Sequence, residues 1–298
     1  MKNLLITGAS GFLGWNVCHA AKTDWNVTGT YFSHEIRIPG CELIRIDLTN
    51  YEDLKNLFKT ITIDAVIHTA AVSQPNLCQI NPMDSEKINV RTSQNLCSFC
   101  LEKQIPFLFT STDQVFDGTK APYSERIPVS PISIYGEQKV AAESSILTLY
   151  PQATICRMPL MFGDGSPVSN SFLIHLLQSI QNNKKITLFF DEYRTPTSGY
   201  NAAQGLLMVL KKKIRGIIHL GGKEKISRYE FGKKLACYCG LTTSMITPIS
   251  QNSLRMKAPR PQDVSLDSSF AFDMGYTPLT ITEEFDRIES VKKAALHP

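Results

Sequence analysis

The feature that most constrains the fold lies in residues 4–14, where an apolar run leads directly into three regularly spaced glycines. The run Leu4–Thr7 reads as a buried strand, and Gly8, Gly11 and Gly14 follow it with the spacing G-x-x-G-x-x-G. Glycine permits a sharp turn and a close approach of an anionic ligand to the backbone, and the N–H groups that open the next helix attract negative charge. This order of strand, glycine turn and helix predicts a dinucleotide-binding βαβ unit.

Short apolar runs and helical patterns continue to alternate beyond this unit. Strand-like runs occur at residues 26–31, 42–46, 65–68, 107–110 and 153–157, and the main helical patterns at 12–22, 84–104 and 135–149. Short apolar runs separated by helices are typical of a parallel sheet that is covered on both faces. We therefore expect an α/β fold with a doubly wound, Rossmann-type parallel sheet.

The texture of the sequence changes near residue 160, where Gly163, Gly165 and Pro167 fall close together. We expect residues 1–160 to form the dinucleotide-binding domain and residues 161–298 to form mostly a smaller, C-terminal substrate-binding part. A helix at 172–181 and a strand at 185–189 are predicted in this second part. A later strand near residues 216–221 is expected to rejoin the first sheet.

Composition disfavours several classes of partner. The net charge is +4 over 298 residues, and no block of like charges is long enough to indicate nucleic acid. Neither a signal-like segment nor an apolar stretch of about 18 residues indicates a membrane. The eight cysteines show no metal-ligand spacing, since the C-x-x-C of Cys97 and Cys100 lies in a helical pattern without a second pair, so no metal is expected. Unpaired thiols in this number suit a cytoplasmic protein.

The end of the second strand bears on the choice of cofactor. NAD-binding units usually place an acid there to hold the ribose 2′-OH, and this chain has none between residues 28 and 34. Ser33, His34 and Arg37 are candidates to meet a 2′-phosphate, which favours NADP(H); the alternative is that Arg37 is only a solvated loop residue. The remaining residues expected around the dinucleotide from this unit are Ser10, Phe12, Leu13 and Tyr31.

A second motif places a tyrosine and a lysine on one helix. Tyr135 and Lys139 form a Y-x-x-x-K, and residues four apart share a helix face. A nearby ammonium stabilises the phenolate, whose pKa is about 10 in free tyrosine, and makes the phenol a usable general acid. Thr112, at the end of a predicted strand, is placed to bond the substrate oxygen. The spacing also arises by chance in packed helices, and its coincidence with Thr112 and the glycine turn favours catalysis.

Together these motifs resemble those of the extended short-chain dehydrogenases/reductases. The resemblance narrows to the relatives of dTDP-4-dehydrorhamnose reductase in the segments 111–118, 157–163, 195–197, 216–220 and Arg260-Pro261, and it covers nearly the whole chain. It implies NADP(H) as cofactor and reduction of the 4-keto group of a nucleotide-linked deoxysugar. It leaves assembly as a homodimer open.

The resemblance also implies roles for individual residues. The catalytic triad would be Thr112, Tyr135 and Lys139. The residues that line the cofactor or hold its site in shape would further include Asp47, Leu48, Ala70, Ala71 and Asn89. The substrate would meet Thr112, Asp113, Arg194, Thr195, Tyr229 and Arg260. Within this set Arg194 and Arg260 are expected to face a nucleotide diphosphate, the alternative being that they pair with acids such as Asp191 and Asp263.

Two departures keep other functions in view. The family usually has a tryptophan after Arg157, where this chain runs Met158-Pro159-Leu160-Met161-Phe162, which leaves the sugar and its nucleotide open. The start of this segment also resembles the non-catalytic β subunit of methionine adenosyltransferase, so an NADP-binding regulatory subunit is the alternative function. A 4,6-dehydratase is disfavoured, because Gln114 stands where those enzymes typically carry a glutamate, and an amide cannot serve as the base.

Overall fold

The computed structural model describes residues 1–169, 171–182 and 184–296. Its strands are β1 (Lys2–Thr7), β2 (Trp25–Tyr31), β3 (Cys41–Arg45), β4 (Ala65–His68), β5 (Phe107–Thr112), β6 (Thr154–Met158), β7 (Met161–Phe162), β8 (Ile186–Phe189), β9 (Tyr193–Arg194), β10 (Thr197–Ser198), β11 (Gly216–His219), β12 (Ile226–Ser227) and β13 (Ile246–Ile249). Its α-helices are α1 (Phe12–Ala21), α2 (Tyr51–Thr60), α3 (Pro75–Ile80), α4 (Pro82–Glu86), α5 (Thr92–Glu102), α6 (Ile134–Leu149), α7 (Phe172–Gln181), α8 (Gly199–Lys212), α9 (Arg228–Tyr238), α10 (Ser269–Asp273), α11 (Ile281–Phe285) and α12 (Glu289–Leu296).

Seven of these strands form one sheet in the order β11-β6-β5-β4-β1-β2-β3. Every neighbouring pair in it is parallel. Leu4 and Ile6 point into a core shared with α1 and α8, whereas Leu5 points into a second core shared with α2, α5 and α6. Since both faces are covered, both sets of alternating side chains are apolar, which explains the continuous apolar runs. The predicted doubly wound α/β fold is confirmed.

The helix predicted over residues 84–104 is not continuous. It is divided into α4, a π-helical turn at Lys87–Arg91 and α5. The Thr92 hydroxyl donates to the Lys87 carbonyl at 3.0 Å and to the Leu48 carbonyl at 3.2 Å. A wider turn of this kind inserts one residue per turn and often marks a functional segment. Here it contains Asn89, a buried side chain.

The C-terminal part has a core of its own. The strands β8 and β13 pair in parallel, and their apolar side chains join a cluster with α7, α9, α11 and α12. Phe162, Phe231 and Phe285 pack edge to face at its centre. This part contacts the glycine turn directly, because the Ser166 hydroxyl donates to the Ser10 carbonyl. No helix in the described ranges is long and apolar enough to cross a membrane.

Candidate active site

The strand order of the main sheet reverses between β1 and β4, which leaves a crevice at the carboxyl ends of these strands. A cleft of about 660 Å³ opens there. It is lined by residues from both predicted motifs: Gly8, Ser10, Gly11, Phe12, Leu13, Gly14, Tyr31, Ser33, Asp47, Leu48, Ala70, Ala71, Ser111, Tyr135 and Lys139. The glycine turn and the tyrosine–lysine pair therefore share one cleft.

The turn after β1 needs glycine for two different reasons. Gly8 has a φ of +73°, and a Cβ there would lie 2.8 Å from the Ala70 Cα. A Cβ on Gly14 would overlap the Gly8 carbonyl and lie 2.8 Å from the Thr69 Oγ1. Gly11 is the N-cap of α1, so no side chain covers the first N–H groups of this helix. They face an open turn, as an anion-binding helix start requires.

A buried histidine ties the two strands of the crevice together. His68 Nδ1 lies 2.6 Å from Thr7 Oγ1, and its Nε2 lies 3.0 Å from Ser93 Oγ. Since Ser93 donates its own proton to the Asn89 carbonyl at 2.8 Å, Nε2 is the donor and Nδ1 accepts from Thr7. Burial and the nearby Lys139 charge lower the pKa of His68 to about 3. The imidazole is therefore neutral and serves as a crosslink.

Asn89 lies behind the cleft rather than in its lining. Its Oδ1 accepts from the Val72 N–H at 2.9 Å, and its Nδ2 donates to the Val72 carbonyl at 3.1 Å and to Gln138 Oε1 at 2.9 Å. These bonds join the loop after β4 to α6. The side chain thus holds the tyrosine-bearing helix against the crevice.

The residues proposed for a 2′-phosphate are divided by the structure. Ser33 lines the cleft, as does Tyr31 of the general cofactor set, whereas His34 and Arg37 are exposed outside its lining. Ser33 Oγ and His34 Nδ1 are 2.9 Å apart. The loop thus offers a hydroxyl and an imidazole at its surface.

Arg45 also lies near this loop, although the sequence analysis did not identify it as a candidate. Arg45 Nε donates to the Phe32 carbonyl at 3.2 Å, beside Ser33. It arrives there because β3 pairs with β2 in a register that opposes Tyr31 and Arg45. The sequence contains no local signal for this pairing register.

A glycine in α6 lets the helix bring Tyr135 to the end of β5. The helix begins after Ser133, whose hydroxyl accepts from the Gly136 N–H at 3.2 Å. A Cβ on Gly136 would overlap the Gln114 carbonyl and lie 2.9 Å from the Pro131 Cβ. The helix can therefore approach the turn after Thr112 only with glycine at this position.

Burial decides the protonation of the tyrosine–lysine pair. Tyr135 is 6% exposed and Lys139 is 2% exposed. Burial raises the pKa of Tyr135 well above its usual value, and a hydrogen bond with Thr112 opposes this shift in part. Burial lowers the pKa of Lys139 to about 8. Its Nζ donates to the Thr110 carbonyl at 2.8 Å and lies 4.4 Å from the Phe109 ring centroid. The phenol therefore holds its proton near neutral pH, and most of the lysine is charged.

A buried ion pair between Glu143 and Arg157 lies close to Tyr135 and Lys139. The sequence analysis did not single out this ion pair. Glu143 Oε2 is 2.7 Å from Arg157 Nη2, and both side chains are almost fully buried. The Ser111 hydroxyl donates to Glu143 Oε1, and Arg157 Nη1 lies 3.4 Å from His219 Nε2. The spacing of four residues from Lys139 was the available signal for Glu143.

Arg194, predicted to meet substrate phosphate, is buried in an acidic setting. Its Nε lies 3.3 Å from Asp113 Oδ2, and its Nη2 lies 3.3 Å from Glu192 Oε1. Arg228 Nε reaches the same Glu192 oxygen at 3.0 Å. Thr112 Oγ1 donates to Asp113 Oδ1 at 3.2 Å. A chain of polar contacts thus runs from Thr112 to the arginines of the C-terminal part.

The acids first considered as partners of the two arginines are used elsewhere. Asp191 accepts from the Gln251 N–H at 2.9 Å, and Asp263 forms an ion pair with Lys225. Arg194 does pair with carboxylates, but those are Asp113 and Glu192. For Arg194 the alternative was therefore right about pairing and wrong about the partners, because adjacency in sequence does not fix which acid the fold brings near. The ion pairs of the described residues do not include Arg260.

The other predicted substrate residues belong to the C-terminal part, and they lie outside the lining of the cleft. Arg260 is half-buried, and burial lowers its pKa while the charge of Glu192 opposes that shift. Thr195 Oγ1 accepts from the Leu266 N–H at 3.1 Å. Tyr229 lies under the Lys233 ammonium, 5.5 Å from its ring centroid. Among them only Arg260 presents a charge.

Two methionines occupy the stretch where the family usually has a tryptophan. Met158 and Met161 both line the cleft. Thioether side chains are flexible and fill irregular space. The cleft therefore has an adaptable apolar wall where an indole would be flat and rigid.

A larger cavity of about 1350 Å³ lies at the opposite edge of the sheet, lined among others by Lys2, Trp25, Asp64 and Lys213. It contains none of the motif residues, so we assign the chemistry to the smaller cleft. In the described part of the chain, no group of three or more His, Cys, Asp or Glu side chains is placed to hold a metal ion.

Comparison with known proteins places the chain in a family. The RmlD substrate binding domain family matches residues 1–285. The chain belongs to this family. It is 30% identical over 281 residues to methionine adenosyltransferase 2 subunit beta of Xenopus laevis, covering 92% of this chain and 83% of that protein. It is 28% identical over 290 residues to a probable low-salt glycan biosynthesis reductase of Haloferax volcanii, covering 96% of each.

A solved structure of similar fold agrees with this assignment. The dTDP-4-dehydrorhamnose reductase of Clostridium acetobutylicum is 26% identical, with a TM-score of 0.84 over 98% of this chain and 100% of that chain. The resemblance to extended short-chain dehydrogenases/reductases, inferred from the motifs, is confirmed.

Proposed function

We propose that this protein is an NADPH-dependent reductase that converts the 4-keto group of a nucleotide-linked deoxysugar into a hydroxyl group. The observation that carries the proposal is the single cleft lined by both the glycine turn and the pair Tyr135 and Lys139. A reductase needs a hydride donor at the carbonyl carbon and a proton donor at the carbonyl oxygen, and this cleft can accommodate both. The reductases of Haloferax volcanii and Clostridium acetobutylicum support the reaction class.

The residues of the cleft fit a dinucleotide. The open turn at Gly8 and the uncovered start of α1 suit a pyrophosphate. Ser33 and the nearby Arg45 suit a 2′-phosphate, and no acid competes with them between residues 28 and 34. These features favour NADP(H) over NAD. When bound, the reduced nicotinamide supplies the hydride.

The protein's own residues supply the proton. Tyr135 is protonated near neutral pH, because burial raises its pKa. It donates its proton to the carbonyl oxygen of the substrate, so that hydride and proton together turn C=O into CH–OH. The Lys139 ammonium stabilises the phenolate that remains. Thr112 holds the substrate oxygen at the end of β5.

The C-terminal part anchors the substrate at a distance from its reacting carbon. We assign this role to Arg260 and Arg228, which retain partial exposure, and we assign to Arg194 the task of fixing Asp113. A guanidinium can donate two bonds to a phosphate at once. Binding energy from the diphosphate then orients the ketone. Thr195 and Tyr229 shape this part.

We further propose that the enzyme acts in the cytoplasm, where unpaired thiols are stable, and that it assembles as a homodimer.

The proposal is tested with NADPH and a panel of nucleotide-4-ketosugars that a dehydratase generates immediately before the assay. We expect NADPH oxidation with at least one member and formation of the corresponding alcohol. Tyr135→Phe is the matched control, since it keeps the ring and removes only the hydroxyl. Tight NADPH binding without oxidation across the panel would contradict the reductase function.

The relative with 30% identity favours a second candidate function, a non-catalytic NADP-binding regulatory subunit. This function requires a complex with a catalytic subunit of methionine adenosyltransferase. Size-exclusion chromatography of the mixture, with and without NADPH, tests for the complex. A stable complex together with inactivity toward every ketosugar would replace the first proposal with the second.

A further inference from the structure

Helix α6 carries a third buried ionisable side chain in line with the catalytic pair. Residues 135, 139 and 143 are spaced by four, so they follow one another along a single helix face. Tyr135, Lys139 and Glu143 are 6%, 2% and 4% exposed. A carboxylate is rarely so deeply buried unless it is paired. Its position beside the lysine calls for a functional explanation.

We propose that Glu143 is a positioning residue of this site, whose carboxylate keeps the Lys139 ammonium charged and, through Ser111, fixes the strand end that carries Thr112. The kinetic part of this inference rests on the proposed reductase function. The electrostatic part rests on the folded protein alone.

The carboxylate oxygens of Glu143 are held from two directions. The Ser111 hydroxyl donates to Oε1, and Ser111 directly precedes Thr112 in β5. Arg157 Nε lies 3.1 Å from Oε1, and Arg157 Nη2 lies 2.7 Å from Oε2. This geometry fixes the carboxylate between the strand end and the helix. Loss of the carboxylate would free the Ser111 hydroxyl next to the catalytic threonine.

Among the residues that the structure describes, the other groups that act on Lys139 bring no negative charge near neutral pH. Its direct contacts are a backbone carbonyl and the Phe109 ring. His68 on β4 is neutral, since its pKa is about 3. Cys78 on α3 remains a thiol, because burial raises its pKa. Glu143 on α6 opposes the effect of burial on Lys139. The Glu143 carboxylate therefore holds the pKa of Lys139 up against the effect of burial.

A purely structural reading of Glu143 is that it neutralises Arg157. The two readings make different predictions for the double variant Glu143→Gln/Arg157→Gln, in which the ion pair is replaced by two neutral side chains. Replacing both members of a buried pair is commonly tolerated, whereas removing one leaves an uncompensated charge. If Glu143 serves only Arg157, the double variant restores the behaviour of Lys139. If Glu143 serves Lys139, it does not.

The experiment titrates Lys139 by NMR in full-length protein labelled with ¹³C-lysine, the resonance being assigned with Lys139→Arg. For Glu143→Gln and for the double variant we expect the titration midpoint of Lys139 to fall by about one pH unit or more, the usual effect of losing a nearby opposite charge. Glu143→Asp, which keeps the charge, should restore it. Glu137→Gln is the matched control, because Glu137 lies on the exposed face of the same helix.

The pKa that limits kcat/KM at alkaline pH should fall by the same amount in Glu143→Gln and in the double variant. An unchanged Lys139 midpoint in the Glu143→Gln protein, or a wild-type midpoint in the double variant, would overturn the inference. If the wild-type protein reduces no ketosugar, the proposed function fails, while the NMR titration still decides the role of Glu143.

Discussion

Replacing Lys139 with methionine separates the energetic cost of a buried charge from its use in catalysis. Burial lowers the pKa of this lysine from 10.5 to about 8. At about 1.4 kcal/mol per pKa unit, the charged side chain destabilises the folded state at neutral pH by about 3 kcal/mol. The variant also leaves the Thr110 carbonyl without its donor, which costs about 1–3 kcal/mol. We therefore expect Lys139→Met to be at least as stable as the wild-type protein at pH 7, with a gain of up to about 2 kcal/mol.

The difference in the free energy of unfolding between wild type and Lys139→Met should change with pH in one direction. Between pH 8 and 10.5 the unfolded chain binds the lysine proton and the folded chain does not, so wild-type stability rises with pH relative to the variant. Between about pH 7 and about pH 9.5 the advantage of the variant should shrink by about 2 kcal/mol. Below pH 7 the difference should be constant, because both states of the wild-type protein are then protonated.

The assay is urea-induced unfolding followed by circular dichroism at four or more pH values. The free energies of unfolding of wild type and Lys139→Met are compared at each pH, so that contributions from other groups cancel. Lys59→Met, at an exposed position, should show a difference that barely depends on pH. If the difference in unfolding free energy between wild type and Lys139→Met does not change with pH, burial does not lower the pKa of Lys139. Turnover should be lost in the variant, since the ammonium beside Tyr135 is gone.

Three further predictions concern ligand binding. Gly14→Ala should abolish NADPH binding in calorimetric titration, because the new methyl group overlaps the Gly8 carbonyl; wild-type affinity would contradict the turn geometry. Arg45→Ala should reduce the preference for NADPH over NADH by about tenfold, the usual value of a charged hydrogen bond. If the ratio of the two dissociation constants is unchanged, Arg45 does not contact the cofactor. Arg260→Ala should lower kcat/KM for the nucleotide-linked substrate by about tenfold or more at unchanged NADPH affinity; a variant that loses only thermal stability would assign Arg260 to structure.

The sheet and its glycine turn could be predicted because their signals are local. The apolar run Leu4–Thr7 and the three glycines after it specify a strand, a turn and a helix within residues 4–21. Tyr135 and Lys139 were likewise visible, since helix geometry alone brings residues four apart onto one face. The structure places both motifs in one cleft.

Other features depend on contacts between distant segments and left no local signal. The π-helical turn at Lys87–Arg91 contains neither glycine nor proline. It coincides with the bonds that Asn89 forms to Val72 and Gln138, which only the packed structure reveals. The partners of Arg194 also lie in two separate segments, at Asp113 and Glu192. Which acid pairs with a buried arginine is therefore decided by tertiary structure.

Following the hydride itself shows whether the protein reduces a nucleotide-linked ketosugar. The protein is mixed with NADPH that carries deuterium at C4 of the nicotinamide and with a freshly generated nucleotide-4-ketosugar, and the product is examined by mass spectrometry and NMR. We expect deuterium at the former keto carbon of the sugar. In Tyr135→Phe the rate of transfer should fall by about 10²–10⁴-fold, the usual value of general acid catalysis, with NADPH binding intact. Transfer at the wild-type rate in this variant, or tight NADPH binding without any transfer in the wild-type protein, would contradict the proposed mechanism.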